Sequence, residues 1–129
     1  MFSRGIEDDI HTFGVSGLLY KSNLVMYDHQ TETLWSQLKE MAIAGPLVET
    51  ELETIPSERL DWETFLQNHS GAPVLSRDTG YDRDYTVNPY EGYSRVFGLW
   101  FPVGDVRKDL PPKDRVMGIS VNGEAKAYP

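Results

Sequence analysis

The sequence contains no cysteine, and this excludes disulfide bonds, thiolate nucleophiles and thiolate metal sites. It also has no apolar run near the ~20 residues that cross a membrane as a helix, so we expect no membrane insertion. The first residues are acidic and lack the apolar stretch of a secretory signal. None of these absences identifies the compartment in which the protein works.

Positive charge is scarce. The chain has 12 lysine and arginine residues against 20 aspartate and glutamate residues, a net charge of -8. Such a chain repels phosphate backbones, and no basic run overrides that repulsion, so we expect no nucleic acid partner. The length of 129 residues predicts a single domain over residues 1–129.

Histidine is also scarce, and the three residues His11, His29 and His69 are far apart in the sequence. No two of them have the spacing that places metal ligands together on a helix or strand. We therefore predict no metal site and no cofactor. His11 follows Asp8 and Asp9 in an acidic N-terminal segment that we expect to be solvated.

Strand signals dominate what is present. The apolar run Asn23–Asp28 is followed by a short polar stretch and a second apolar run over residues 33–37, which predicts a hairpin. Asn122-Gly123 is a strong hairpin-turn signal between residues 115–121 and 124–128. The sequence therefore predicts a mainly β fold, either a small β-sandwich or a barrel-like sheet.

One short helix is predicted near residues 61–69. Asp61 is a suitable N-cap, and Trp62 and Phe65 fall on one face at helical spacing. Gly71 and then Pro73 end the pattern. We expect both Trp62 and Trp35 to lie in the core.

A long ordered loop rich in aromatic residues is predicted over residues 77–102, where turn-forming residues interrupt any regular period. Aromatic faces beside planar polar side chains suit a polar or carbohydrate-like small molecule. The predicted cleft over residues 77–100 would use these residues for binding: Arg77, Tyr81, Arg83, Tyr85, Asn88 and Trp100. In it, Asp78, Asp84 and Glu91 would accept hydrogen bonds from hydroxyl groups.

Two alternatives use the same loop. A pair of carboxylates from Asp78, Asp84 and Glu91 could run glycoside hydrolysis, one as the acid and the other as base or nucleophile. The tyrosine hydroxyls and the neighbouring Arg and Asp side chains could instead only hold the loop in place.

Two short motifs resemble catalytic signatures. Asp78-Thr79-Gly80 is the triplet of aspartic proteases, but Ser76 and Arg77 precede it where an apolar strand would be needed. Gly14-Val15-Ser16-Gly17 resembles a nucleophile elbow, with the second glycine one position early. For both we favour a structural turn.

Several blocks resemble, in order, the bacterial domain-of-unknown-function family 3179. They are FGVSGLLYKSNLVMYD, TLWSQ, AIAGPL, VLSRDTGYDRDY, NPYEGY and GEAKAYP, from about Phe13 to Pro129. The resemblance implies a β-rich domain in proteins that are often exported or membrane-anchored. It therefore suggests an exported or periplasmic location, and it implies no established reaction.

The chain departs from the family pattern in ways that bear on assembly. The usual cysteine-proline-leucine segment upstream and the further strands downstream are missing, so the chain resembles an internal piece of a longer domain. His29 stands where arginine is usual. Because missing strands would leave sheet edges exposed, we hypothesise that the protein forms a homo-oligomer through such an edge.

Overall fold

The structure is a computed structural model, and it describes residues 1–105 and 108–129. In these residues the chain forms eight strands, one α-helix and a short 3₁₀ helix at Tyr93–Arg95. The strands are β1 (Gly5–Ile6), β2 (Asp9–Ile10), β3 (Phe13–Tyr20), β4 (Asn23–Asp28), β5 (Leu34–Ser36), β6 (Met41–Ala44), β7 (Met117–Val121) and β8 (Glu124–Tyr128), and the helix is α1 (Trp62–Asn68). The predicted mainly β class with one short helix is confirmed, and the strands are divided among three antiparallel sheets.

The largest sheet is an antiparallel meander of four strands in the order β3-β4-β5-β6. It contains the predicted hairpin, in which Met26 of β4 pairs with Trp35 of β5. Strands β1 and β2 form a separate two-stranded sheet, and an isolated bridge joins Phe2 to Thr54. The N-terminal segment is therefore connected to the chain that follows β6.

A register shift between Val15 and Leu19 interrupts the pairing of β3 with β4. The Ser16 hydroxyl donates a 2.6 Å hydrogen bond to the carbonyl of Val25 and accepts one of 3.1 Å from the amide of Leu18. Gly17 follows with a φ of +75°, which glycine adopts at little cost. The Gly14–Gly17 motif is thus a strand irregularity, and its serine has a structural role.

The core lies at the four-stranded sheet. Its buried apolar residues are Ile6, Val25, Trp35, Ala42 and Leu52. All of these except Val25 form one cluster, against which the partly buried Phe2, Phe13, Met26 and Leu47 pack. Trp35 is completely buried, and Phe13 meets its ring edge-on with centroids 5.9 Å apart. Because truncation of a buried tryptophan to alanine usually costs about 3–5 kcal/mol, Trp35 is a principal stabilising residue.

Helix α1 begins where the sequence predicts it. The two carboxylate oxygens of Asp61 accept hydrogen bonds from the amide and the hydroxyl of Thr64, at 2.9 and 2.8 Å. The expectation for Trp62 is wrong, because its side chain is 59% exposed. Its helical spacing creates an apolar face, but none of the described strands packs closely against that face.

The last two strands form a hairpin of their own. Asn122 and Gly123 both have positive φ, +52° and +79°, as a type I′ turn requires. All residues of β7 and β8 are exposed. The turn signal in the sequence is confirmed, whereas the hairpin contributes nothing to the core.

Candidate functional site

The predicted binding residues between 77 and 100 all lie on exposed turns and loops. The exposed fractions are 80% for Tyr81, 43% for Tyr85 and 47% for Trp100. The short 3₁₀ helix Tyr93–Arg95 is the only regular element that the structure gives to this described segment. Tyr81, Tyr85 and Trp100 are therefore accessible to a dissolved molecule.

Trp100 is the centre of an aromatic cluster. Its ring stacks on that of Tyr90 with centroids 5.9 Å apart, and the centroid of Tyr93 is 4.4 Å away. The Lys113 ammonium lies 4.0 Å from the Tyr93 ring centroid and donates hydrogen bonds to the carbonyls of Tyr93 and Val96. A cation held against both backbone and ring fixes the orientation of this cluster.

A second group of contacts surrounds Tyr85. Its hydroxyl shares a 2.7 Å hydrogen bond with the Thr79 hydroxyl, and the Arg83 guanidinium lies 5.8 Å from its ring centroid. Arg83 and Tyr85, both predicted binding residues, are thus brought together. Trp100 and Tyr90 are brought together in the other cluster, and the described contacts do not join the two groups.

The polar side chains of the segment are used mainly in turns. Asp84 Oδ1 accepts hydrogen bonds from the amide and hydroxyl of Thr86, at 2.8 and 2.6 Å, and these bonds lower the pKa of Asp84. Asn88 Oδ1 accepts from the amide of Tyr90 at 3.0 Å. These contacts are typical of Asx turns and order the loop locally.

None of the three predicted carboxylates takes part in an ion pair among the residues that the structure describes. Over residues 1–105 and 108–129, no ion pair joins Arg77 or Arg83 to a carboxylate. A general acid must also stay protonated near neutral pH, and the lowered pKa of Asp84 suits an ionised acceptor instead. The hydrolase alternative stays a prediction, with Asp84 better suited to the base role than to the acid role.

Asp28 forms a buried polar centre that the sequence reasoning missed. The carboxylate is completely buried at the end of β4. Oδ2 accepts a 2.9 Å hydrogen bond from Trp35 Nε1, and Oδ1 accepts from the amides of Thr31 and Gln30 at 2.6 and 3.1 Å. The Thr31 hydroxyl lies 2.9 Å from both oxygens.

The charge on Asp28 is stabilised by these donors. Burial raises its pKa, but the hydrogen bonds from Trp35 and from Thr31 outweigh that effect and lower the pKa to about 2. His11 Nδ1 lies 3.3 Å from Asp28 Oδ1 without the alignment of a hydrogen bond. Asp28 is therefore an ionised group inside the fold with a structural role.

His11 corrects a second expectation. Asp8 and Asp9 are exposed, as expected for a solvated acidic segment, whereas His11 is only 4% exposed. Its amide donates a 2.8 Å hydrogen bond to the carbonyl of Arg4 beside the β1–β2 hairpin. The signal that could have revealed this centre is Asp28 three residues before Thr31, a common turn pattern, followed by a tryptophan that needs an acceptor when buried.

The described part of the chain offers no group of three or more histidine, aspartate or glutamate side chains placed to hold a metal ion. Among the helices described there, none is long and apolar enough to cross a membrane.

The fold and the exposed aromatic segment define a small, mainly β chain with one sheet-based core. The sequence model of a family described as "Protein of unknown function (DUF3179)" matches residues 1–129, and the chain belongs to this family. The match includes the first residues, ahead of the blocks quoted above. Searches of curated proteins and of solved structures found no match.

Proposed function

We propose that residues 77–100 bind a polar, carbohydrate-like small molecule. The observation that carries the proposal is the half-exposed Trp100, stacked on Tyr90 and oriented through Tyr93 by Lys113. A pre-oriented aromatic face covers the C–H surface of a sugar without further ordering, and this reduces the entropic cost of binding.

The polar groups in the same segment supply the rest of the proposed recognition. Asp84 is an ionised acceptor whose two bonds to Thr86 leave Oδ2 for a hydroxyl donor. Arg83, oriented over Tyr85, supplies donors to ligand oxygens, while Asp78, Glu91 and Asn88 extend the polar rim. The roles proposed for Arg77 and Tyr81 rest on their exposure and on their position beside these residues.

The test is a titration of the purified protein with a panel of neutral mono- and disaccharides, followed by ligand-detected NMR and by thermal stability. We expect saturable binding that Trp100→Ala abolishes and that Asp84→Asn weakens several-fold. Trp62→Ala is the matched control, because it removes another exposed tryptophan outside the segment. Absence of binding to every sugar, or equal loss in Trp100→Ala and Trp62→Ala, would contradict the proposal.

A specific observation also favours assembly as a second function. The β7–β8 hairpin presents Met117, Ile119, Val121 and Tyr128 on one face, and these side chains are 45–69% exposed. An isolated two-stranded hairpin is marginally stable in water, and its open edges can pair with another strand. We propose that two copies join through β8.

The charges of β8 suit such pairing. If two β8 strands pair antiparallel about Ala125, Glu124 of each copy stands opposite Lys126 of the other, and opposite charges across strands are stabilising. Light scattering over a wide concentration range tests this, with expected dimer formation that Lys126→Glu weakens. A monomer at all concentrations would refute the assembly proposal and leave the ligand proposal untouched.

A further inference from the structure

A groove of 890 Å³ lies beside helix α1, and its lining includes none of residues 77–100. Its walls are the exposed side of the helix and two extended segments, residues 56–60 and 72–75. Most of the lining is apolar, with Leu60, Val74 and Leu75 among the contributors.

Three rings follow one another along the helix within the groove. Trp62 and Phe65 are stacked with centroids 5.5 Å apart and an angle of 19° between their planes. The His69 ring is next, 5.4 Å from that of Phe65. Because Trp62 is 59% exposed, the row presents aromatic surface whose electron-rich faces attract cations.

The acidic side chain in the groove also favours a cation. Glu58 lines it, and its Oε2 lies 3.5 Å from His69 Nε2. Among the described lining residues there is no lysine or arginine side chain, and the one permanent positive charge is the terminal ammonium of Met1. The chain as a whole carries a net charge of -8, which adds to the attraction for cations.

We propose that the groove beside α1 binds an organic cation of the quaternary ammonium type. The positive group lies against the exposed Trp62 ring, which is backed by the Phe65 ring, with Glu58 as counter-charge, and its alkyl groups contact Leu60, Val74 and Leu75. A quaternary ammonium is weakly hydrated and distributes its charge over C–H groups. It can therefore make favourable contacts with aromatic, apolar and acidic side chains at the same time. An anion would meet the Glu58 carboxylate, and a neutral alkyl group would gain nothing from it.

The test compares choline with its neutral isostere, 3,3-dimethylbutan-1-ol, by NMR titration of the full chain. We expect saturable binding of choline and about tenfold weaker binding of the alcohol. Trp62→Ala and Glu58→Gln should each weaken choline binding about fivefold or more. Trp100→Ala is the matched control and should leave choline binding unchanged, since Trp100 does not line the groove.

Trp62→Ala and Glu58→Gln both replace exposed side chains, so these variants should fold. Circular dichroism and thermal melting check this. Equal binding of choline and the alcohol, no binding of choline, or equal loss in Trp100→Ala would overturn the proposal. A second arm uses phosphatidylcholine vesicles. Co-sedimentation lost in Trp62→Ala assigns the cation to a lipid headgroup, whereas binding of free choline alone assigns it to a dissolved molecule.

Discussion

The indole nitrogen of Trp35 donates a 2.9 Å hydrogen bond to Oδ2 of Asp28, and both side chains are completely buried. Each group satisfies the hydrogen-bonding requirement of the other, because a buried N–H needs an acceptor and a buried carboxylate needs donors. Thr31 satisfies the remaining oxygen, so the β4–β5 turn is tied to the core. The polar contacts of the β4–β5 turn and the apolar core are therefore joined through the Asp28–Trp35 hydrogen bond.

Replacing Asp28 by asparagine should destabilise the protein strongly. The amide cannot accept at both positions, so at least one of the donors from Trp35 and Thr31 is left unsatisfied inside the fold. We expect a loss of about 2–4 kcal/mol in the free energy of unfolding, measured by urea denaturation. Asp84→Asn, at an exposed turn, is the control and should change it by less than about 0.5 kcal/mol.

Stability should also fall in acid because of Asp28. Its pKa in the folded protein is lowered from 3.8 to about 2, so the folded state favours the ionised form. The corresponding stabilisation, roughly 2 kcal/mol, is fully present above pH 3.8 and is lost as the pH falls through 2. Urea midpoints measured between pH 5 and 2 should show this decline, and it should be much flatter in Asp28→Asn. Parallel declines in the two proteins would exclude Asp28 as the cause.

Features with a local cause could be predicted from the sequence. The Asp61 cap depends on Thr64, three residues away, and the Asn122-Gly123 turn depends on two adjacent residues that tolerate positive φ. The two apolar runs at residues 23–28 and 33–37, separated by a short polar stretch, likewise indicated a hairpin. In each case the residues that decide the structure lie within one turn or hairpin of each other.

Features that depend on distant packing could not be predicted. Burial of His11 beside Asp28 requires the first hairpin to fold against the end of β4, and no periodicity in either segment indicates that contact. Trp62 has the helical spacing of a core residue but remains exposed, because spacing shows which residues share a face and not what covers it. For residues 77–100, composition suggested aromatic contacts, whereas the specific partners of Trp100 required the structure.

Alanine at Gly45 should be far more destabilising than alanine at Gly17. Both glycines have positive φ, +110° and +75°, so both substitutions introduce backbone strain. A Cβ at Gly45 would also lie 2.8 Å from the Cα of Thr33, whereas one at Gly17 would meet open space. We expect a loss of about 1 kcal/mol for Gly17→Ala and at least about 2 kcal/mol for Gly45→Ala. Urea denaturation checks this, and equal losses would contradict the close approach to Thr33.

Lys113→Met should loosen the aromatic cluster around Trp100 without unfolding the core. The ammonium joins the turn at residues 111–114 to the carbonyls of Tyr93 and Val96, and methionine keeps the unbranched apolar stem without the charged group. Partial exposure limits the local stabilisation to about 1 kcal/mol, which corresponds to several-fold faster amide exchange near Tyr93. Hydrogen exchange should show this acceleration with unchanged protection in β4 and β5. Lys21→Met, in the exposed β3–β4 turn, should leave exchange near Tyr93 as it was, and an equal effect there would mean that Lys113 does not hold the cluster.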